Sequence, residues 1–215
     1  MIHRCLIVGL GQIGMGYDYA LDPCEFVLSH ARSFSIHPDF ELIGGVDLDP
    51  NQCANFETEY KMPGYTNLEQ ALHDLSPTII IIATPSGSHG LILERILRSH
   101  IPKVLVCEKP LDESLTVAQN MVEMCNQNGV KLFVNYMRRS EGSVIQIKKM
   151  IDDQVIQSPI KAVAWYSKGL FNNGSHMLNL LEYWLGGVVG HTMIDSNRYW
   201  NDSDHEPDFK VNFEK

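Results

Sequence analysis

Long apolar runs are missing from the 215 residues. None approaches the ~18–20 residues that a membrane helix requires. Basic residues are also scarce. Lysine and arginine number 17 against 26 acidic residues, the formal net charge is −9, and no basic block occurs. That balance argues against wrapping nucleic acid or lying on an anionic membrane. Cysteine is limited to Cys5, Cys24, Cys53, Cys107 and Cys125, an odd number without CxxC spacing. Neither a disulfide framework nor a metal site is expected, and reduced structural thiols in a cytoplasmic protein fit best. The N-terminus has the apolar run of a strand, without a cleavable signal pattern. Internal repeats and low-complexity tracts are absent too. What remains is ordinary globular composition, 44% hydrophobic, ample for a core.

The chain is organised around Gly9-Leu10-Gly11-Gln12-Ile13-Gly14, directly after the apolar run Cys5-Leu6-Ile7-Val8. A buried strand entering such a turn, with a helix behind it, is the pattern of a dinucleotide site. Gly9 permits the tight turn, Gly11 lets a pyrophosphate approach the backbone, and Gly14 lets the helix pack closely. Free N–H groups at the start of the helix, Gln12 and Ile13 among them, favour phosphate.

The stretch from Gly16 to Leu28, with Tyr17-Asp18-Tyr19 and Asp22-Pro23, reads as an insertion, after which the helix continues near Ser29 to His37. It either touches ligand or is a plain surface loop. An acidic residue is expected about 20 positions after the turn, at the end of the second strand. The candidate, Asp47, ends Phe40–Val46 and lies further on. It would accept hydrogen bonds from the ribose hydroxyls and repel a 2′-phosphate. No Arg or Lys follows before Lys61, which argues for NAD over NADP. The other reading is a capping Asp ahead of Pro50.

Helices are predicted near 51–60, 68–75, 90–99 and 114–128, with a short extended piece at 64–65. The β-branched run Thr78–Ala83 is a strand buried on both faces, and 103–107 and 131–135 read as further strands. Residues 1–136 therefore form a doubly wound parallel α/β domain. From Tyr136 the rhythm changes. A helix is predicted over 141–152, a strand over 160–166, a helix opened by Asn173-Gly174-Ser175-His176, and extended pieces at 191–199 and 209–213. Residues 137–215 read as an incomplete α+β domain.

Five motifs in one order carry a resemblance. They are the glycine turn, Ala83-Thr84-Pro85-Ser86-Gly87-Ser88-His89, Glu108-Lys109-Pro110, Asn135-Tyr136-Met137-Arg138-Arg139, and Asn173-Gly174-Ser175-His176. Together they resemble the glucose–fructose oxidoreductase and inositol dehydrogenase (Gfo/Idh/MocA) family. The resemblance implies a Rossmann domain followed by a domain with a mainly antiparallel sheet, through which members can form homo-oligomers. It implies hydride transfer between nicotinamide and a carbinol carbon of a sugar, nucleotide sugar or cyclitol. It also implies a cis Lys109–Pro110 bond. Relatives run well beyond this chain's length, so its second sheet looks short.

On that resemblance Lys109 and His176 are the catalytic candidates. The Lys109 ammonium would hydrogen-bond the reacting oxygen, and His176 would move the proton. A His in the first turn of a helix is disfavoured as imidazolium by the dipole. Thr84, Pro85, Ser86, His89, Glu108, Lys109 and Asn135 join Gly9, Gly11, Gln12, Ile13, Gly14 and Asp47 as cofactor-binding candidates. His89 would line the nicotinamide pocket or cap its helix. Tyr136, Arg138, Arg139, Asn172, Asn173, Lys109 and His176 are the substrate candidates. The arginines would bind a carboxylate or phosphate, or form salt bridges at the start of a helix. Many relatives carry acids where this chain has Asn172 and Asn179. Those asparagines cannot titrate, and they leave open a nucleotide-binding sensor without turnover.

Overall fold

The computed structural model describes residues 2–195, 198–201 and 204–215. The chain divides into two compact units, Met1–Asn135 and Tyr136–Lys215.

In the first unit six strands form one parallel sheet in the order β3-β2-β1-β4-β5-β6. They are β1 (His3–Val8), β2 (Phe40–Val46), β3 (Gly64–Tyr65), β4 (Ile79–Ile82), β5 (Val104–Cys107) and β6 (Lys131–Val134). The helices between them are α1 (His30–Ile36), α2 (Pro50–Tyr60), α3 (Leu68–Leu75), α4 (His89–Ser99) and α5 (Leu115–Gln127). Strand side chains alternate between the two faces. Leu6, Val8, Ile80, Ile82, Leu105 and Cys107 therefore pack with Leu72, Leu93 and Met121 of α3, α4 and α5. Cys5, Ile7, Ile79 and Ile81 pack on the other face with Ala31 of α1 and Phe56 of α2. The run of β-branched residues in β4 is buried on both faces, as its composition predicts. All five cysteines are free. Burial pushes the Cys5 thiol up to about 12, with the Glu41 charge adding to it, so it stays protonated at neutral pH.

The insertion is a loop thrown out of a helix whose ladder it does not break. Residues after Gly11 coil at once: Met15 and Gly16 donate to the Gly11 carbonyl, and Tyr17 to that of Gln12. The chain then leaves, and α1 begins only at His30, capped by Ser29. Yet the N–H groups of His30 and Ala31 donate to the carbonyls of Ile13 and Gly14 at 3.0 and 2.9 Å. In that ladder His30 stands where residue 17 would stand in an unbroken helix.

The second unit holds α6 (Gly142–Asp152), α7 (Ser175–Leu185) and an antiparallel pair, β7 (Val188–Asp195) with β8 (Asp208–Phe213). Trp184 Nε1 donates to the Val144 carbonyl at 3.0 Å and ties α7 to α6. The strand expected over 160–166 is not formed. A strand persists only on a ladder, and this segment pairs with neither β7 nor β8. Val163 and Trp165 are 81% and 85% exposed. The extended piece expected over 191–199 crosses Ser196 and Asn197, which lie outside the described residues.

The next α-helix opens at Ser175, as expected, but a further helical turn that was not expected precedes it. A π-helical turn, Gly169–Gly174, runs straight into α7. Its leading N–H groups have acceptors from the segment before β8. Gly169 donates to Glu206 Oε1, Leu170 to the His205 carbonyl, and Phe171 and Asn172 to the Asp204 carboxylate. The polar end of the helix therefore lies at Gly169. His176 sits well inside the helical run, so the dipole argument for it does not hold.

Candidate functional site

The cofactor candidates of the first unit gather at the carboxyl ends of the parallel strands, where open α/β sheets bind ligand. The chain order reverses between β1 and β4, and the glycine turn leaves β1 beside that switch point. Gly9 has φ +97°, and a Cβ there would lie 2.7 Å from the backbone of Ala83. A Cβ on Gly14 would stand 1.9 Å from the Gly9 carbonyl oxygen. A Cβ on Gly11 would meet nothing within 4 Å. Two glycines are thus required by the protein itself, and the third keeps a cradle open. That fits a pyrophosphate resting on the N–H groups of Gly11–Ile13.

Asp47 ends β2 and is tied to this turn. Its Oδ2 accepts from Leu10 N at 2.7 Å and its Oδ1 from Asp49 N at 2.9 Å. Each oxygen keeps a lone pair for a ribose hydroxyl. The capping role falls to Asp49, whose carboxylate accepts from Asn51 N at the start of α2.

Beyond β4, Ser88 Oγ donates to the Pro85 carbonyl at 2.7 Å and accepts from the Thr84 hydroxyl at 2.9 Å, closing the Thr84-Pro85-Ser86 turn. His89 is fully buried. One ring nitrogen lies 3.1 and 3.2 Å from the carbonyl oxygens of Pro110 and Leu111, and the other 2.8 Å from that of Thr84. The ring braces the β4 turn against the turn after β5 and presents no surface to a ligand. Replacing it with Ala removes these bonds and opens a cavity. We expect His89→Ala to cost about 2–4 kcal/mol, read from the urea midpoint.

Glu108 and Lys109 follow β5, and the Lys109–Pro110 bond is cis. Glu108 Oε1 lies 2.7 Å from His30 Nε2 and 2.7 Å from Asn135 Nδ2. Glu108 and His30 side chains are only 12% and 11% exposed. Burial pushes the Glu108 carboxyl up. The bonds from His30 and Asn135, the His30 charge and the Lys109 N–H outweigh it and hold the group below its usual range. Stability from this carboxylate is therefore complete above the ordinary glutamate pKa and lost as pH falls through the lower folded value. His30 was not foreseen from the sequence. The signal that would have found it is the helical phase across the insertion, which places His30 one turn after Ile13.

In the second unit His176 is 8% exposed and meets the Tyr136 ring edge-to-face at 5.7 Å. Burial raises the Tyr136 phenol, partly offset by a Ser175 hydrogen bond and the Arg139 charge. Arg139 Nε donates to Asn179 Oδ1 at 2.6 Å, and its guanidinium lies over the Tyr183 ring. Arg139 thus braces the turn after Tyr136 on α7. Arg138 and Asn172 are exposed, Asn173 half-buried.

The strand order, the glycine turn and the acid ending β2 define a Rossmann-type α/β protein. The chain belongs to the Gfo/Idh/MocA oxidoreductase family, described as having an NAD-binding Rossmann fold, whose model matches residues 3–136. It is 28% identical over 215 aligned positions to the NAD(+)-dependent scyllo-inositol 2-dehydrogenase of Bacillus subtilis, covering 91% of this chain and 59% of that protein. It is 26% identical over 181 positions to the inositol 2-dehydrogenase of Rubrobacter xylanophilus, covering 82% of this chain and 50% of that one. The chain thus spans little more than half of these relatives. Among solved structures, the WlbA dehydrogenase of Bordetella pertussis, in complex with NADH and UDP-GlcNAcA, superposes with a TM-score of 0.74 at 20% identity, covering 95% of this chain and 61% of that one. Among the described residues no helix is long and apolar enough to cross a membrane.

Proposed function

We propose that this chain is an NAD-dependent dehydrogenase that moves hydride between nicotinamide and a carbinol carbon of a cyclitol, sugar or nucleotide sugar. The observation that carries this reading is Lys109. It follows a buried, clamped glutamate at the carboxyl end of β5, on the strand edge that carries the open glycine cradle. When bound, the nicotinamide supplies or accepts the hydride. The turn Gly9–Gly14 holds the pyrophosphate, and Asp47 holds the adenosine ribose. Thr84-Pro85-Ser86 and Asn135 contribute at the same strand edge. Lys109 donates a hydrogen bond to the reacting oxygen and steadies its developing charge. His176 of the second unit carries the proton-transfer role, and Tyr136, Arg138, Asn172 and Asn173 are its candidate substrate contacts. Inositol dehydrogenases among the relatives support the cyclitol, and the UDP-GlcNAcA complex of WlbA the nucleotide sugar. A homo-oligomer through the second-unit sheet and a cytoplasmic setting complete the reading.

The first test is nicotinamide fluorescence on titration with NADH and NADPH. Saturable NADH binding, with NADPH much weaker, is the expected result; no binding of either overturns the reading. Because one relative, the D-xylose 1-dehydrogenase of Haloarcula marismortui, is described as NADP(+)-dependent, the preference is tested on its own. Asp47→Asn keeps an acceptor for the Leu10 N–H and removes the charge. It is expected to narrow the NADH-over-NADPH ratio about tenfold, which is about 1.4 kcal/mol. An unchanged ratio removes Asp47 from cofactor choice.

A second reading, nucleotide binding without turnover, is favoured by Asn179. It is neutral, and it spends its side-chain oxygen on Arg139.

A further inference from the structure

We propose that His30 is a positioning residue for Lys109, delivered to the site by the loop thrown out of the helix. The inference rests on the reading of Lys109 as the catalytic lysine. The loop's neck is closed by Asp18, whose side chain is fully buried. Its carboxylate accepts from Leu28 N at 2.6 Å, Ser29 N at 2.8 Å and Ser29 Oγ at 2.6 Å. Arg32 locks the same point, donating to the Asp18 carbonyl and to Glu59. Whatever path the loop takes outside, its return is fixed. Ser29 then caps α1, and the helical ladder to Ile13 and Gly14 sets the phase of the next residue.

That residue is His30, stacked on Phe34 with ring centroids 6.4 Å apart. A carboxylate only accepts, so His30 Nε2 donates to Glu108 Oε1, and Asn135 donates to the same atom. Two donors on one oxygen fix the carboxylate plane. The second oxygen, Oε2, is thereby turned to the backbone N–H of Lys109, 3.4 Å away. The series Asp18, Ser29, His30, Glu108, Lys109 thus runs from the loop neck to the reacting group inside one compact unit. Removing His30 leaves a buried carboxylate with one side-chain donor fewer. It would rotate toward other partners and take the path of the chain at Lys109 with it.

The test compares two replacements of similar length, His30→Gln, which keeps a donor, and His30→Met, which does not. The first readout needs no cofactor. Each protein is reductively methylated and the rate at each lysine is read by peptide mass spectrometry. In His30→Met the Lys109 rate is expected to rise several-fold, with exposed Lys61 and Lys131 unchanged. In His30→Gln all three are expected to match wild type. The second readout is kinetic. His30→Met should lower kcat about 10- to 100-fold, the scale of a misplacement near 1 Å, with NADH affinity little changed, and His30→Gln should restore most of it. Equal Lys109 rates in folded Met, Gln and wild-type proteins overturn the proposal. A measurement on the unaltered chain stands beside it. The His30 Nε2 proton should be protected from exchange in ¹⁵N-edited NMR, and a freely exchanging proton overturns the proposal whether or not the variants fold. Failure of the wild type to bind NADH would overturn the dehydrogenase reading, and the methylation contrast would still decide the role of His30.

Discussion

Lys109→Met is expected to abolish most turnover while leaving NADH binding within a few-fold of wild type. Met keeps the length of the stem and removes only the ammonium. If that group steadies charge that develops on the reacting oxygen, its loss is felt in the transition state and little in the ground state. The expected fall in kcat is about 10²- to 10⁴-fold, the usual range for one preorganised donor or proton-transfer group. Lys109→Arg restores the charge but spreads it over a planar fork, and should recover only a small part. The measurement is steady-state oxidation of a panel of cyclitols and sugars, with NADH fluorescence titrated alongside. A matching fall in NADH affinity would mean that Lys109 serves the cofactor and not the reacting oxygen. Wild-type protein that binds NADH tightly and turns over nothing in the panel would favour the reading without turnover, which Asn179 in its bond with Arg139 already suggests.

The first unit was legible because its signals are local. Four consecutive β-branched residues, short and bounded by Pro77 and Pro85, read as a strand covered on both faces. Three glycines at that spacing also occur in ordinary turns, but placed straight after an apolar strand they mark a strand turning into a helix. Both are statements about neighbours in sequence. His30 was hidden because its place depends on a hydrogen-bond ladder that skips the whole excursion, from Ile13 to His30. Read locally, His30 is the first residue of a seven-residue helix. Read through the ladder, it belongs to the glycine turn. The same reason explains the failures in the second unit. The 160–166 run has strand composition, but composition does not supply a pairing partner. The π-turn before α7 is held by Asp204 and Glu206, more than thirty residues further on, and no pattern near Gly169 announces them. His89 was legible as a motif residue but not as a brace, since its partners Pro110 and Leu111 lie on another strand's turn.

The glycine turn offers the sharpest contrast, because two of its glycines should fail in opposite ways when replaced by Ala. In Gly14→Ala the new methyl would stand 1.9 Å from the Gly9 carbonyl oxygen and 3.2 Å from the Leu10 Cα. Both are backbone atoms at the end of a central strand, so neither can swing aside as a side chain would. The turn must distort or the helix must slide off the sheet. The cost should reach or exceed the upper end of ordinary overpacking, about 3 kcal/mol. At this chain length that lowers Tm by roughly 6–12 °C. In Gly11→Ala the methyl meets nothing within 4 Å. Folding should be unharmed, and loss of glycine's freedom in the unfolded chain can add about 0.4–1 kcal/mol of stability. Its methyl, however, fills the cradle where a pyrophosphate would meet the backbone. NADH affinity should fall at least about tenfold, or about 1.4 kcal/mol. Thermal melts and NADH titrations on the same two proteins separate the cases. Gly11→Ala that melts like wild type and binds NADH as tightly would place the phosphates elsewhere, and the glycine turn would then be a matter of packing alone.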